Sequence, residues 1–305
     1  METHADAHGL ATARRLRVVS VVAVSVLVAA YLLLVLTPIG QSWDDAALVG
    51  RLRERAADRA EVGRFLRSID TVTLLLMVVV VVAVGLVRRR ARLALLAGGA
   101  FVAAVVSAEL LKAVLPRPAY GTELAILASK DYDTYPSGHA TIATGFVLAV
   151  VLVAGNRWRP WVGLLGMVWA GSIATGVVAA GWHRPSDAIG GVALATAWLS
   201  LAAAWLSRER GVVAEPGRLA RALPALGTAF GLLVVVTAVV LALTGRQDRM
   251  PADVAWWAFP IGQIAIDLAV ITAVGSVSWL LRDLRFGDPA PSTAAPAAQV
   301  ADHGA

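Results

Sequence analysis

Long apolar runs alternate with short charged ones along most of the chain. The runs lie at 18–36, 72–87, 93–115, 140–154, 161–180, 188–206, 223–243 and 259–281. A helix needs about 20 predominantly apolar residues to cross a bilayer, so the pattern predicts an all-α polytopic membrane helical bundle of about eight transmembrane helices. Residues 1–17 form a polar N-terminal segment and 18–206 a six-span core. A loop at 207–222, two additional spans within 223–281 and a tail at 282–305 complete the organisation. The tail is rich in Ala and Pro from about residue 288, which predicts disorder there. The first run is read as a retained anchor, because Thr37-Pro38-Ile39-Gly40-Gln41 offers no convincing cleavage site after it.

Between the first two spans, Gln41 to Asp70 is charged, with Leu48, Leu52, Ala56, Phe65 and Leu66 recurring at roughly helical spacing. This predicts an amphipathic helix on the membrane surface. It is expected to be a solvated connector lying on the headgroups, with a lid or lipid-gathering platform over a site as the alternative.

Charge then orients the bundle. Short loops on one side collect Arg88, Arg89, Arg90 and Arg92, then Arg157 and Arg159, then Arg208, Arg210, Arg218 and Arg221. Cytoplasmic loops carry the excess of basic residues, so both termini are expected inside. Lys112, Arg117, His139 and His183 then share the external face.

Composition supports the same class. The chain is 58% hydrophobic with a mean hydropathy of +0.71, beyond the ~45–50% usual for soluble domains. Of 27 basic residues all but Lys112 and Lys130 are arginine, which with the abundant Ala and Val reads as compositional bias. The pI near 10.4 follows from the loops between spans, and no nucleic-acid-reading module is visible. The absence of cysteine excludes disulfides, a thiol nucleophile and a thiolate metal site.

Candidate chemistry centres on Tyr135-Pro136-Ser137-Gly138-His139. Ser137 is a good N-cap for the apolar run that follows, and a helix N-terminus offers unpaired amides to an anion. Of five histidines, His4, His8 and His303 lie in polar tails, leaving His139 and His183 in the folded body. His183 and Asp187 are four residues apart at the start of a helix, so the carboxylate can hold one ring nitrogen and leave the other as base or nucleophile. Lys112 and Arg117 add positive charge, and the amides after Ser137 add neutral donors.

Lys112 with Arg117-Pro118, the Pro136-Ser137-Gly138-His139 stretch, and His183 with Asp187 together resemble the motifs of the type 2 phosphatidic acid phosphatase family. Those membrane lipid phosphatases share their catalytic arrangement with vanadium haloperoxidases, and the resemblance covers about residues 93–206. It implies that His183 is a nucleophile forming a phosphohistidine, that Asp187 holds its ring, and that His139 protonates the leaving alcohol. Lys112, Arg117, Ser137 and Gly138 would hold the phosphoryl oxygens, with no metal and no cofactor. The implied substrate is an amphiphilic lipid phosphate or polyprenyl pyrophosphate at the external face of a bacterial plasma membrane, with membrane lipids as the surroundings.

The chain departs from the family pattern twice. Four residues rather than six separate Lys112 from Arg117-Pro118, and Ala119 stands where the family spacing puts arginine. In the third motif Gly176 and Val177 replace Ser-Arg, so a phosphate-binding arginine is missing. Arg184 is the candidate replacement; the other reading makes it an interfacial arginine facing headgroups. The missing arginine also motivates a second function, a degenerate member that binds lipid phosphates without hydrolysing them. A transporter using Glu109 and Asp267 is a third, without an evident inverted repeat to support it. Glu109 is expected to pair with Lys112, and Asp267 to make an interhelical hydrogen bond.

Overall fold

A computed structural model describes residues 2–120, 134–213, 252–282 and 284–286. Its helices are α1 (Glu2–Ala30, prolonged by a wide turn at Tyr31–Val35), α2 (Pro38–Gly50), α3 (Ala56–Arg67), α4 (Thr71–Val87), α5 (Ala91–Val114), α6 (Gly138–Val153), α7 (Arg159–Ala179), α8 (Pro185–Arg210) and α9 (Ala252–Leu281). Five of the helical segments are long and apolar enough to cross a membrane: Gly9–Val35, Ala91–Val114, Arg159–Ala179, Pro185–Arg208 and Trp257–Leu281. The described residues thus form an all-α membrane bundle, with one exception. Strand β1 (Gly211–Val213) pairs antiparallel with β2 (Leu284–Phe286), a ladder too short to show alternation in the sequence.

Seven of the eight predicted runs fall on these helices, and the run at 223–243 lies outside the described residues. Two are shorter than a full span of about 20 residues. Helix α4 has 17 residues and continues α3 across a 56° bend. Helix α6 has 16 residues, about 24 Å against a hydrocarbon layer of about 30 Å. Helix α1 runs without a break from Glu2 through the polar N-terminal segment into the first apolar run.

Helix α8 is the axis of the bundle and packs against α1, α5, α6 and α9. Small side chains let the backbones approach: Ser20 Oγ of α1 donates to the Ala197 carbonyl of α8 at 2.9 Å, and a Cβ on Gly85 would lie 2.5 Å from Ala94. One end of the bundle is closed by arginine. Buried Arg159 donates to the Leu281 and Leu284 carbonyls at 2.6 Å, tying α7 to α9 and β2, and Arg88 donates to the Val153 carbonyl at the end of α6.

The stretch at 41–70 is not one surface helix. Pro38 at the first helical turn and the Thr37 side chain, which accepts from Gly40 N, start α2. Helix α2 is buried along much of its length and packs on α9. A tight turn at Arg51–Arg53 follows, and α3 then lies across the end of α7. The connector reading is therefore corrected: the two short helices enter the bundle end that carries the histidines.

Candidate active site

The end of the bundle opposite Arg88 and Arg159 gathers the ends of α2, α5 and α7 with the starts of α6 and α8. Ser137 caps α6, its Oγ accepting from Ala140 N at 3.4 Å. Its own amide donates to the Asp187 carbonyl at 2.8 Å, so the loop before α6 is bonded directly to the start of α8. Two glycines make that approach possible. A Cβ on Gly190 would lie 2.6 Å from the Tyr135 ring, and one on Gly191 would collide with the Ser137 carbonyl. The Tyr135–Pro136 bond is cis, and the Tyr135 hydroxyl, pushed upward in pKa by burial, donates to the Leu27 carbonyl of α1 at 2.5 Å.

Asp187 is completely buried and receives four donors. Thr134 Oγ1 lies 2.6 Å away, Arg117 Nη2 2.8 Å, the Arg184 amide 3.0 Å and His183 Nδ1 3.4 Å. An ionised carboxylate only accepts, so the proton on His183 sits at Nδ1 and the lone pair at Nε2. The amides of Trp182 and His183 both donate to the Val177 carbonyl, which closes the turn that presents this ring.

His139 follows Ser137 by two residues, in the first turn of α6. Its ring stands edge-on to Trp182 with centroids 5.3 Å apart and lies within electrostatic reach of His183. Helix α3 closes this side: the Leu66 main chain faces the His139 ring, and Gly63 lies over Ala180 and Trp182. Lys112 Nζ is 2.6 Å from Glu109, the pairing expected from their spacing, and both side chains approach Gly138.

Arg117 and Arg184 are both buried, and here α2 intervenes. Arg117 Nη1 is 3.5 Å from Asp44, and its Nη2 serves Asp187 and, at 3.3 Å, Ser186 Oγ. Burial alone would lower the Arg117 pKa, but Asp187, Asp44 and Asp45 together raise it. Asp44 also accepts from the Ser186 amide at 3.1 Å and from its hydroxyl. Arg184 Nε donates to Asp45 at 2.7 Å. Burial pushes Asp44 up to about 6, with Arg117 opposing and Asp187 adding to the rise.

Arg184 is therefore neither a headgroup-facing arginine nor an uncommitted phosphate ligand. Pro185 opens α8 and turns the Arg184 side chain inward onto α2, where Asp45 receives it. Arg117 sits at the site as expected, but on carboxylates. The sequence reading missed Asp44 and Asp45 altogether. A signal was present: Pro38–Gly50 holds two acids and no basic residue, while Arg117 and Arg184 on the same side had no acid but Asp187 near them.

Residues 91–210 match the PAP2 superfamily model. This segment, α5 to α8, is similar to PAP2 domains. No curated protein and no solved structure matches the chain. The match points to phosphatase chemistry on phosphate esters, and all three motif regions of the matched segment meet at one end of the bundle. Helices α2, α3 and α9 lie outside it, so Asp44 and Asp45 are contributed from beyond the matched segment.

The extra helix α9 touches the site only through its packing. A Cβ on Gly262 would lie 2.8 Å from Pro185 and 3.7 Å from Ala47, so α9 backs both α2 and the start of α8. On its other side Gln263 Nε2 donates to the Thr175 carbonyl of α7 at 3.3 Å. The interhelical bond expected of Asp267 is made by Gln263 instead, while Asp267 packs against Gly171. Among the described residues no group of three or more His, Asp or Glu side chains has metal-holding geometry.

Proposed function

We propose that this protein is a membrane phosphatase that removes phosphate from a lipid phosphate or pyrophosphate at the external face of a bacterial plasma membrane, through a phosphohistidine and without a metal. The observation that carries the reading is the His183–Asp187 pair with His139 facing it from the first turn of α6. His183 Nε2 attacks phosphorus, the bond from phosphorus to the leaving oxygen breaks, and His139 delivers the proton that oxygen needs. Water then attacks the phosphohistidine, His139 takes a proton from it, and phosphate leaves with His183 restored. Asp187 holds Nδ1–H throughout and stabilises the charge on the ring. The external placement rests on the arginine-rich opposite end of the bundle, the expected cytoplasmic signature.

The test is phosphate release from a panel of lipid phosphates and pyrophosphates by purified protein in EDTA, with His183→Ala as the control. Metal-independent release that disappears in the variant supports the phosphohistidine route; release that persists in His183→Ala defeats it. A second reading is favoured by Val177 and by the commitment of Arg117 and Arg184 to carboxylates: a lipid-phosphate-binding protein without turnover. It predicts headgroup binding by wild type together with no release from any member of the panel.

A further inference from the structure

An anion between His139 and His183 needs positive charge, and most cations near it are already matched. Arg117 and Arg184 face Asp44, Asp45 and Asp187, so these two arginines bring no net positive charge. Lys112 is held by Glu109. Arg59 spends Nη1 on the carbonyls of Arg51, Leu52 and Glu54, fixing the turn between α2 and α3.

That turn carries Arg51. Its guanidinium lies on Gly181, two residues before His183: a Cβ there would be 2.6 Å from Nη2 and 2.7 Å from Cζ. Gly181 has φ +77° and no side chain, so both its conformation and its missing Cβ make room for the arginine. The Arg51 Nε is buried without a hydrogen-bond partner, and no acid contacts the side chain among the described residues. Burial and the neighbouring Arg59 hold its pKa below the ordinary arginine value, the mark of a cation lacking a counter-charge.

The position answers the gap in the third motif. The Val177 carbonyl receives the Trp182 and His183 amides, so residue 177 and the Gly181 turn on which Arg51 lies belong to one hydrogen-bonded unit. Above Gly176 the space is filled by Val62 and Leu66 of α3, the helix that directly follows Arg51. We propose that Arg51, from outside the matched segment, supplies the phosphate-binding guanidinium that Val177 cannot, with Gly181 as its platform. This rests on the reading of the site as one that takes a phosphoryl group. An uncompensated, half-buried guanidinium is what a phosphate dianion requires, and its planar fork can bond two oxygens.

The experiment is isothermal titration of the detergent-solubilised full chain with inorganic phosphate, for wild type, Arg51→Gln and Arg51→Lys, beside the lipid phosphate assay. Loss of one charge-assisted donor should weaken phosphate binding by about 10- to 100-fold in Arg51→Gln, with Arg51→Lys in between. Should the Gln variant fail to fold, labelling of wild type with an arginine-directed dicarbonyl keeps the test open: phosphate should slow modification of Arg51 but not of Arg59. Unchanged affinity in a folded Arg51→Gln, no phosphate binding by wild type, or no protection of Arg51 overturns the proposal. Phosphate binding that depends on Arg51 without hydrolysis of any lipid phosphate upholds it while defeating the phosphatase reading.

Discussion

Asp45 and Arg184 form an ion pair at 2.7 Å between side chains that are each 1% exposed. Breaking such a pair from one side strands a buried charge, at a cost of about 3–5 kcal/mol, whereas replacing both partners by apolar groups of similar volume is often neutral. Asp45→Leu and Arg184→Met are each expected to lower thermal stability sharply, and the double variant to recover much of the loss. Thermal unfolding in detergent measures this; additive losses in the double variant would show that the pair is not a closed unit.

Asp44 gives a pH signature. Its carboxyl is raised from the ordinary 3.8 to about 6, so the folded protein holds the proton more tightly than the unfolded chain. Its contribution to stability is complete below about pH 4 and is lost as pH rises through about 6, a swing of roughly 2–3 kcal/mol. Relative to Asp44→Asn, wild type should therefore lose stability between these values. Parallel pH profiles for the two proteins would count against the assignment.

The close seating of the Ser137 loop on α8 predicts that Gly191→Ala is harmful. The new methyl would meet the Ser137 carbonyl and, at 3.0 Å, Ala140 Cβ. Overpacking of this kind costs about 1–3 kcal/mol, and the loop that yields is the one presenting His139. Phosphate release should fall by more than the loss of folded protein explains, which specific activity per folded molecule would reveal.

Much of this arrangement was legible in the chain because it is local. The cap at Ser137, the i, i+4 relation of His183 and Asp187, and the apolar runs each depend on residues within a few positions of one another. Asp44 and Asp45 escaped because their partners lie 73 and 139 residues away. Inside an arginine-rich amphipathic stretch, two acids read as surface charge. Arg51 was hidden in the same way, as one of several arginines in that stretch, and only contact with Gly181 distinguishes it. The β1–β2 ladder left no trace for a different reason: three residues per strand are too few to establish a period.

Gly181→Ala combines two effects. A non-glycine residue at φ +77° is strained by about 1–2 kcal/mol, and the methyl would fall within the Arg51 guanidinium. Stability should drop modestly and inorganic phosphate affinity substantially. Titration that finds phosphate affinity intact in a folded Gly181→Ala would separate the two residues.

Because α2 holds the acids and α8 begins with their last cation, the order of synthesis matters. The ribosome makes Asp44 73 residues before Arg117 and Asp45 139 residues before Arg184, so over a long stretch of translation α2 carries acid that lipid will not accept and protein cannot yet neutralise. It must wait at the aqueous boundary until α7 has crossed and the turn before α8 arrives. Docking of α2 is then a late event of biogenesis, backed last by α9, and the two histidines acquire these charged neighbours only once most of the membrane core is already in place.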